Sequence, residues 1–394
     1  MRVIPGLSFT SLLVLLATFT VIAAAAQGQT RQEPTPLLLA VHDAPIPFTG
    51  SDGRIHLVYE LWMSNFSRGE AEIQQVEVLG DGTHLQTLDH TAISSRLQAA
   101  GQRTSSGAIA NAAQALLFLN IALPPGSQIP TQLTHRVDVH YSAAPVGQKD
   151  FHETGGATTV DRREIAQIGP PLSGDNYVSA DSCCDATRHT RAALPVNGKV
   201  YLAQRYAVDW EQLDANNRIY SGPREKLESY TIFGKPVLAV ADAVVAVVVK
   251  GLSEQTPGKF PEHISLEEAD GNAIILDLGQ HRYALYAHLQ SESIHLQRGD
   301  KVKVGQQIAL VGNSGNSVAP HLHFHLMDSE LSLASNGLPY EIKDFTVAGE
   351  TPGTTAFDEA EANGTPLAIT PVTPRREIKD AMPLDQLIIS FMSR

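Results

Sequence analysis

The chain has 394 residues and a formal net charge of −13 at pH 7, so it is long enough for two domains with separate cores. Phosphate binding requires clustered lysine and arginine, and an acidic chain without such a cluster argues against nucleic acid as the partner. The two cysteines, Cys183 and Cys184, are adjacent and cannot join distant segments, which excludes a disulfide framework. We expect them either as a disulfide between neighbours or as thiols.

The first 26 residues have the pattern of a secretory signal. A positively charged start, Met1-Arg2, precedes an apolar run from about Leu7 to Ala26 that ends in small residues. The sequence therefore predicts a signal peptide over residues 1–26 and an exported protein, periplasmic or extracellular. The alternative is an uncleaved segment that tethers the N-terminus to a membrane, because the apolar run is close to spanning length.

Residues 35–150 contain short alternating runs separated by turns. His56 to Met63 and Arg136 to Tyr141 are strand-like, while Gly80-Asp81-Gly82 and Pro124-Pro125-Gly126 are turn sequences. Several strands without a helical period predict an immunoglobulin-like β-sandwich. Nothing in this half of the chain carries recognisable chemistry, so we interpret it as a binding or spacer module.

Residues 165–345 form a second β-rich region, which makes the predicted fold mostly all-β. The predicted strands are Pro236 to Lys250, Ile264 to Glu268, Ala273 to Leu278, Tyr283 to Leu289, Gln307 to Val311 and His321 to Met327. Asp270-Gly271-Asn272 is a hairpin signal between two of them. Residues 346–394 are expected to be a loose Pro/Thr/Gly-rich linker followed by a final strand near Pro383 to Phe391.

The clearest chemical feature is the run Pro320-His321-Leu322-His323-Phe324-His325-Leu326. Side chains on a strand alternate between faces, so His321, His323 and His325 share one face. Each of these histidines lies about 7 Å from the next one along the strand. The apolar side chains between them share the other face and can enter a core. One histidine can then hold a metal while its neighbour faces water or substrate. A surface strand whose histidines have no function is the alternative.

Two other segments place polar residues in strand patterns. Tyr286-Ala287-His288-Leu289 closes a predicted strand with a histidine, which alone would more often be structural. The run from Gln204 to Trp210 alternates and puts Arg205 and Asp209 on one face. An acid between apolar neighbours is costly to bury unless its charge is paired or bound to a metal. A salt bridge between Arg205 and Asp209 is therefore the simple alternative to a metal site.

The order of these motifs resembles that of the lysostaphin-type zinc endopeptidases, metallopeptidase family twenty-three. The resemblance covers roughly residues 187–330, less than half of the chain. After the Asp209 strand, the motifs that carry it are Pro236-Val237-Leu238-Ala239-Val240-Ala241-Asp242, Gly271-Asn272, Tyr286-Ala287-His288-Leu289, Val304-Gly305-Gln306, Gly312-Asn313-Ser314-Gly315 and Pro320-His321-Leu322-His323-Phe324.

This resemblance implies a lysostaphin-type antiparallel β-sheet peptidase domain that uses Zn²⁺. By position in the motifs, Asp209 and His323 correspond to zinc ligands. His321 corresponds to the histidine that takes a proton from the attacking water, and His288 to the one that stabilises the oxyanion. The implied activity is hydrolysis of peptide bonds, with peptidoglycan peptides or other peptides as the substrate.

One departure from the family pattern concerns the first zinc ligand, usually a histidine four residues before the aspartate. That position is Arg205, whose guanidinium stays protonated and has no lone pair to offer a metal. We predict that His189, in Thr187-Arg188-His189-Thr190-Arg191, supplies the third ligand instead. The alternatives are an incomplete site or one of three other histidines: His263, His281 and His295.

Because Arg205 cannot bind metal, a non-enzymatic reading also remains. In that alternative the protein is a catalytically inactive member of the same fold that binds or regulates cell-wall hydrolases. A carbohydrate-binding or adhesive β-sandwich protein explains the N-terminal half, but leaves His288, His321 and His323 without a role.

Overall fold

Strands predominate in the computed structural model, which describes residues 34–392. The predicted signal peptide over residues 1–26 lies outside these described residues. Within them, a helix long and apolar enough to cross a membrane is not found. The expectation of a mostly β fold is confirmed, since only two α-helices accompany the strands of the described range.

Ten strands and one short helix make up the N-terminal part of the described chain. Their bounds are β1 Leu37–Ala40, β2 Phe48–Thr49, β3 Ile55–Asn65, β4 Ala71–Gly80, β5 Thr83–Asp89, α1 His90–Ser94, β6 Leu97–Ala99, β7 Ala108–Ile109, β8 Gln114–Leu123, β9 Gln132–Tyr141 and β10 Asp150–Thr159. One five-stranded sheet has the order β1-β3-β8-β6, with β2 beside β3. The other has the order β10-β9-β4-β5, with β7 beside β4. Apolar side chains from both sheets share one core, as the alternating pattern predicts.

Strand β3 is buried on both of its faces. Leu57, Tyr59 and Leu61 enter the core between the two N-terminal sheets. The residues between them face the other way, and Val58 joins the core of the second half of the chain. Glu60 on this same outer face is 3% exposed. The N-terminal sheets therefore pack against the rest of the molecule through a strand that belongs to both cores.

The second half of the chain adds sixteen strands and one helix among the described residues. Their bounds are β11 Ala166–Ile168, β12 Gly174–Ala180, β13 Leu194–Val196, β14 Lys199–Tyr201, β15 Val208–Gln212, β16 Pro236–Leu238, β17 Ala243–Val249, β18 Ala273–Asp277, β19 Tyr283–Ala287, β20 Lys301–Val302, β21 Gln307–Leu310, β22 Leu322–Met327, β23 Gly337–Leu338, β24 Tyr340–Glu350, α2 Thr354–Asn363, β25 Thr370–Ala381 and β26 Leu387–Phe391. Three single 3₁₀ turns lie at Leu227–Ser229, Leu266–Glu268 and Ser291–Ser293.

Twelve of these strands form one large sheet. Its order is β11-β24-β26-β12-β15-β22-β19-β18-β17-β20, with β23 beside β22 and β25 beside β24. The pairing is antiparallel except between β11 and β24, which run parallel. The sheet is therefore mixed rather than purely antiparallel. Strands β15, β22 and β19 lie next to one another in it, and this neighbourhood carries the site described below.

Two strand predictions in this region are wrong in detail. Pro236 to Lys250 is not one strand, because β16 pairs with β21 outside the large sheet while β17 pairs with β18 inside it. Ile264 to Glu268 contains a 3₁₀ turn rather than a strand. Leu266 there is 52% exposed, so the segment has no buried face to hold it in a sheet. Asp270-Gly271-Asn272 accordingly does not join two strands of a hairpin.

The segment after Phe345 is more regular than its composition predicts. Strand β24 continues to Glu350, and α2 and β25 follow where we expected a loose linker. Phe357 and Ala360 of α2 are buried in an apolar cluster with residues of β12 and β26. The expected final strand is present as β26, paired with β24 and β12 in the large sheet.

The two cysteines form a disulfide with each other, one of the two states that the sequence allowed. Both are buried. The Sγ atom of Cys184 lies 3.9 Å from Nδ1 of His56 on β3. The disulfide therefore lies at the contact between the N-terminal sheets and the second half of the chain.

Candidate metal centre

Asp209 and His323 face each other across neighbouring strands. β15 pairs with β22 in a register that sets Asp209 opposite His323, and opposed residues on one face have Cβ atoms about 5 Å apart. Nδ1 of His323 lies 2.8 Å from Oδ1 of Asp209. Leu322 and Phe324 of the same strand enter the apolar core instead. The predicted division of this strand into a histidine face and an apolar face is therefore correct.

His189 reaches the same point from a turn segment ahead of β13. The arginines on either side hold this segment: Arg188 pairs with Asp181 at 2.6 Å, and Arg191 donates at 2.6 Å to a backbone oxygen just after α1. Nδ1 of His189 donates to the backbone oxygen of Asp181 at 2.8 Å. Its Nε2 therefore faces Asp209 and lies 3.4 Å from Oδ2.

The three residues His189, Asp209 and His323 each offer one ligand atom, and these atoms lie within 4.8 Å of one another. Two imidazole nitrogens and a carboxylate oxygen are a donor set typical of zinc, with bonds of about 2.0–2.2 Å. No other group of three or more such side chains converges in this way among residues 34–392. The chemistry of the donors fits a divalent metal ion, and three protein ligands leave a position open for water.

His321 and His288 border this centre, each with Nδ1 bound to the backbone. Nδ1 of His321 lies 2.8 Å from the oxygen of Ala319, and Nδ1 of His288 lies 2.8 Å from the oxygen of Ser314. Because a carbonyl oxygen only accepts, both rings carry their proton on Nδ1, and Nε2 keeps its lone pair when the ring is neutral. Nε2 of His321 lies 3.5 Å from Oδ1 of Asp209, and the two rings are 4.6 Å apart.

The ionisable residues of the centre have pKa values that are shifted in different directions. Burial acts to raise the pKa of Asp209, but the charges of His189 and His321 outweigh it and bring this pKa well below its usual value. Burial acts to lower the pKa of His189, and the acids Asp209 and Asp181 overcome it to give a pKa of about 9. Burial lowers the pKa of His288 well below its usual value, with His321 acting in the same direction. The centre therefore contains an ionised carboxylate and a neutral His288.

Arg205 turns away from this centre, so the predicted alternative of a salt bridge between Arg205 and Asp209 is wrong. Its Nε and one terminal nitrogen bind the two carboxylate oxygens of Glu60 on β3, at 2.9 Å and 2.7 Å. The ion pair is buried, with side-chain exposures of 6% and 2%. Strand β15 begins only at Val208, so the backbone at Arg205 does not follow the alternation that would place it beside Asp209.

The other candidate ligands from the sequence lie elsewhere. His263, His281 and His295 are exposed, and none of them lines the cleft that contains His189, Asp209 and His323. Of the histidines weighed as the third ligand, the structure therefore brings only His189 to the other two among the residues it describes. Its role as a ligand stays a prediction.

Two crossing loops hold His288 in place. A Cβ added to Gly271 would lie 2.4 Å from the backbone oxygen of Ser314, and one added to Gly315 would lie 2.3 Å from the nitrogen of Gly271. Only glycine allows the two backbones to approach so closely. The side chain of Asn272 donates to the backbone oxygen of Leu289 at 3.0 Å. Asn272 thus contacts the backbone of the residue that follows His288.

His325 has a structural role that the sequence analysis did not assign. Its Nδ1 lies 3.0 Å from Nε2 of His323, so it contacts the ring nitrogen of His323 that points away from Asp209. The second nitrogen of a metal-binding histidine usually has such a partner, which orients the ring. The sequence pattern places His323 and His325 next to each other on one face of the strand, so this contact could have been predicted from it.

The centre lies in a cleft with a volume of about 790 Å³. Besides the histidines, Asp209 and Asp270, its wall contains four acidic side chains to which the sequence analysis assigned no role: Asp181, Glu211, Asp358 and Glu361. Two of them come from α2, in the segment expected to be a linker. Apolar side chains such as Phe260 and Leu266 also line the cleft, so it combines an acidic wall with exposed apolar contacts.

Comparison with known proteins relates part of this region to a peptidase family. Residues 229–335 match peptidase family M23. That segment contains His288, His321 and His323, whereas His189 and Asp209 lie ahead of it. The chain is 25% identical over 178 residues to the peptidoglycan DD-endopeptidase ShyA of Vibrio cholerae serotype O1, which covers 41% of this chain and 37% of the relative.

A second relative is the glycyl-glycine endopeptidase ALE-1 of Staphylococcus capitis, 32% identical over 124 residues, or 31% of this chain and 30% of the relative. The matched part of the chain thus spans about a third of the length of these curated relatives. Among solved structures, the catalytic domain of the antimicrobial peptidase lysostaphin from Staphylococcus simulans matches 42% of this chain and 86% of that chain. The identity is 24% and the TM-score is 0.22.

Proposed function

We propose that the chain, which belongs to peptidase family M23 and carries a lysostaphin-like catalytic domain, is a zinc-dependent endopeptidase that hydrolyses peptide bonds in peptidoglycan. The observation that carries the proposal is the convergence of His189, Asp209 and His323 beside His288 and His321 in one cleft. Two similar proteins, a peptidoglycan DD-endopeptidase and a glycyl-glycine endopeptidase, support the substrate class.

In this proposal His189, Asp209 and His323 hold the metal through two nitrogens and one oxygen. When bound, zinc supplies a positive charge beside the scissile carbonyl and lowers the pKa of a bound water toward about 7. The ionised state of Asp209 suits it to hold a cation. His325 and the backbone oxygen of Asp181 keep the two imidazoles oriented through their other nitrogens.

His321 and His288 handle the proton and the developing charge. Each ring donates through Nδ1 to a backbone carbonyl, so each presents the basic Nε2 to the cleft. His321 takes the proton of the attacking water at Nε2. A neutral His288 of this tautomer has no proton at Nε2 to donate, so it stabilises the oxyanion only as the imidazolium, after Nε2 has taken a proton from solvent in the cleft. The two rings lie 4.6 Å apart, close enough to serve the same reacting group.

Metal content tests the proposal directly. The purified full chain is expected to bind close to one zinc ion, and His323→Ala is expected to lower the zinc affinity by more than about 100-fold, because a ligand itself matters more than the partners that orient it. Inductively coupled plasma mass spectrometry after dialysis measures the stoichiometry. His84→Ala, an exposed histidine of β5, is the matched control and should keep its zinc. A wild-type protein that holds no zinc in non-chelating buffer would contradict the proposal.

The role of His321 can be separated from metal binding. His321→Ala is expected to keep its zinc while kcat on peptidoglycan falls by about 10²–10⁴-fold, the usual contribution of a general base. Release of soluble peptides from purified peptidoglycan measures the rate, and zinc analysis of the same sample measures the metal. A variant that retains both its metal and its rate would remove His321 from the proton transfer.

Arg205 supports a second candidate function. Because it occupies the position where the family's first metal ligand usually stands, the chain could instead be an inactive member of the fold that binds or regulates cell-wall hydrolases. The zinc measurement distinguishes the two: a regulator of this kind would hold no metal and release no peptide.

We also propose that the protein acts outside the cytoplasm, in the periplasm or beyond the cell, with the predicted signal over residues 1–26 either removed or kept as a membrane tether. The N-terminal sheets are proposed to be an immunoglobulin-like sandwich that supports the centre. Arg191, next to the His189 segment, donates to the backbone of Ser95 in this part of the chain. The sandwich thus contributes to holding His189 in place.

A further inference from the structure

Four acidic side chains face the cleft on the side of Glu211 and α2. Asp181 follows β12, Glu211 lies on β15, and Asp358 and Glu361 lie on α2. Asp358 and Glu361 are three residues apart in a helix and so share one face. Phe357 and Ala360 anchor α2 in an apolar cluster, which fixes the direction in which that acidic face points.

Two of these acids have their own partner, and two do not. Arg188 bridges Asp181 and Asp358 through its two terminal nitrogens, at 2.6 Å and 2.5 Å. By contrast, Glu211 and Glu361 have no such cationic partner: Oε2 of Glu211 and Oε1 of Glu361 are buried without a hydrogen-bond partner among the residues that the structure describes, as is the second oxygen of Asp181, Oδ1. Glu211 is only 5% exposed. A buried carboxylate oxygen without a donor is costly, and a ligand that supplied a donor to these atoms would offset that cost.

The position of Glu211 relates this wall to the candidate metal centre. Glu211 is two residues beyond Asp209 on β15, so the two side chains share a face about 7 Å apart. That separation corresponds to about two residues of an extended peptide. A group held by Glu211 therefore belongs to a residue close to the scissile bond rather than to a distant part of the substrate.

We propose that Glu211 and Glu361 form a subsite for the primary ammonium group of an amine-bearing residue next to the scissile bond. This inference rests on the proposed peptidase function. An ammonium is a compact charge with three N–H donors, which suits two carboxylates whose oxygens lack donors. A second metal ion is less suitable, because these acids are not part of a converging group of three ligand atoms within the described chain.

Cleavage of paired substrates tests the subsite. Soluble peptidoglycan peptides are compared before and after acetylation of their free amines, which removes the charge. The wild type is expected to prefer the free amine in kcat/KM by about tenfold or more, in line with a charge-assisted hydrogen bond. Glu361→Gln is expected to lose this preference by slowing cleavage of the free-amine peptides alone.

The matched control is Glu359→Gln, which removes the same charge from an exposed position of α2 and should keep the preference. The unfolding temperature and zinc content of both variants check that they are folded. An equal loss on both substrates in Glu361→Gln, or a wild type without any preference, would overturn the subsite. So would a second zinc ion in the wild type that disappears in Glu361→Gln.

A binding measurement separates this inference from the proposed function. Butylammonium is titrated into the full chain and followed by NMR, with butanol as the uncharged probe. We expect butylammonium alone to bind, and its Kd to rise by about tenfold in Glu361→Gln but not in Glu359→Gln. If the wild type cleaves neither peptide set, the peptidase proposal fails while this titration still decides the subsite. Equal binding of butylammonium to wild type and Glu361→Gln would overturn it.

Discussion

His189→Ala is expected to lower the zinc affinity by about 100-fold or more and to abolish peptidoglycan hydrolysis, because it removes one of the three converging donors. Nε2 of His189 lies 3.4 Å from Oδ2 of Asp209. Arg205, which occupies the usual family position of this ligand, cannot replace His189, because its guanidinium has no lone pair to offer a metal. Equilibrium competition against a chromogenic zinc chelator measures the affinity, and peptide release measures the activity.

His263→Ala is the control for this experiment, because His263 is exposed and lies outside the cleft. We expect it to keep the zinc affinity and the activity of the wild type. If His189→Ala bound zinc as tightly as the wild type, His189 would not be a ligand and the site would need another third donor. The result therefore decides the most unusual part of the proposed centre.

Glu60→Ala is expected to destabilise the protein by about 3–5 kcal/mol, the typical cost of leaving one charge of a buried ion pair without its partner. Arg205 binds both carboxylate oxygens of Glu60, and its remaining acidic neighbour, Asp43, is 3.6 Å away. Urea denaturation followed by circular dichroism measures the change in the free energy of unfolding.

Two further variants make this result specific. Glu77→Ala breaks an ion pair with the exposed Arg136, where we expect a loss of only about 0–1 kcal/mol. The double variant Glu60→Leu/Arg205→Met is expected to recover most of the stability, because apolar side chains of similar volume can replace a buried ion pair. A loss in Glu60→Ala no larger than that in Glu77→Ala would show that the pair has little energetic importance.

Local patterns were sufficient to predict the strand that carries His323. Alternation along β22 depends only on the strand period, so the apolar and histidine faces could be read from the sequence. The role of His189 could be inferred only indirectly. Arg205 cannot bind a metal, so the third ligand had to be sought among the other histidines. The approach of His189 to Asp209 depends on contacts of Arg188 with Asp358 and of Arg191 with the backbone of Ser95, both far away in the sequence.

Other features depend on contacts that no local pattern reveals. Glu60 and Arg205 are far apart in the sequence, and each residue alone looks like an ordinary surface charge. The α2 segment has a composition typical of a linker, yet Phe357 is buried in an apolar cluster with residues of β12 and β26. Leu266 shows the opposite error: its neighbours alternate, but no core covers it. In each case tertiary burial outweighs local propensity.

The burial of β3 on both faces affects where the chain can be divided. Removing residues 35–150 would take Phe48 and Val58 out of the larger core and away from Tyr206, which both of them contact, and would leave the guanidinium of Arg205 without Glu60. A catalytic fragment cut at the apparent boundary would therefore lose part of its own core. The two halves are expected to unfold together, as one cooperative unit, although their sheets are separate.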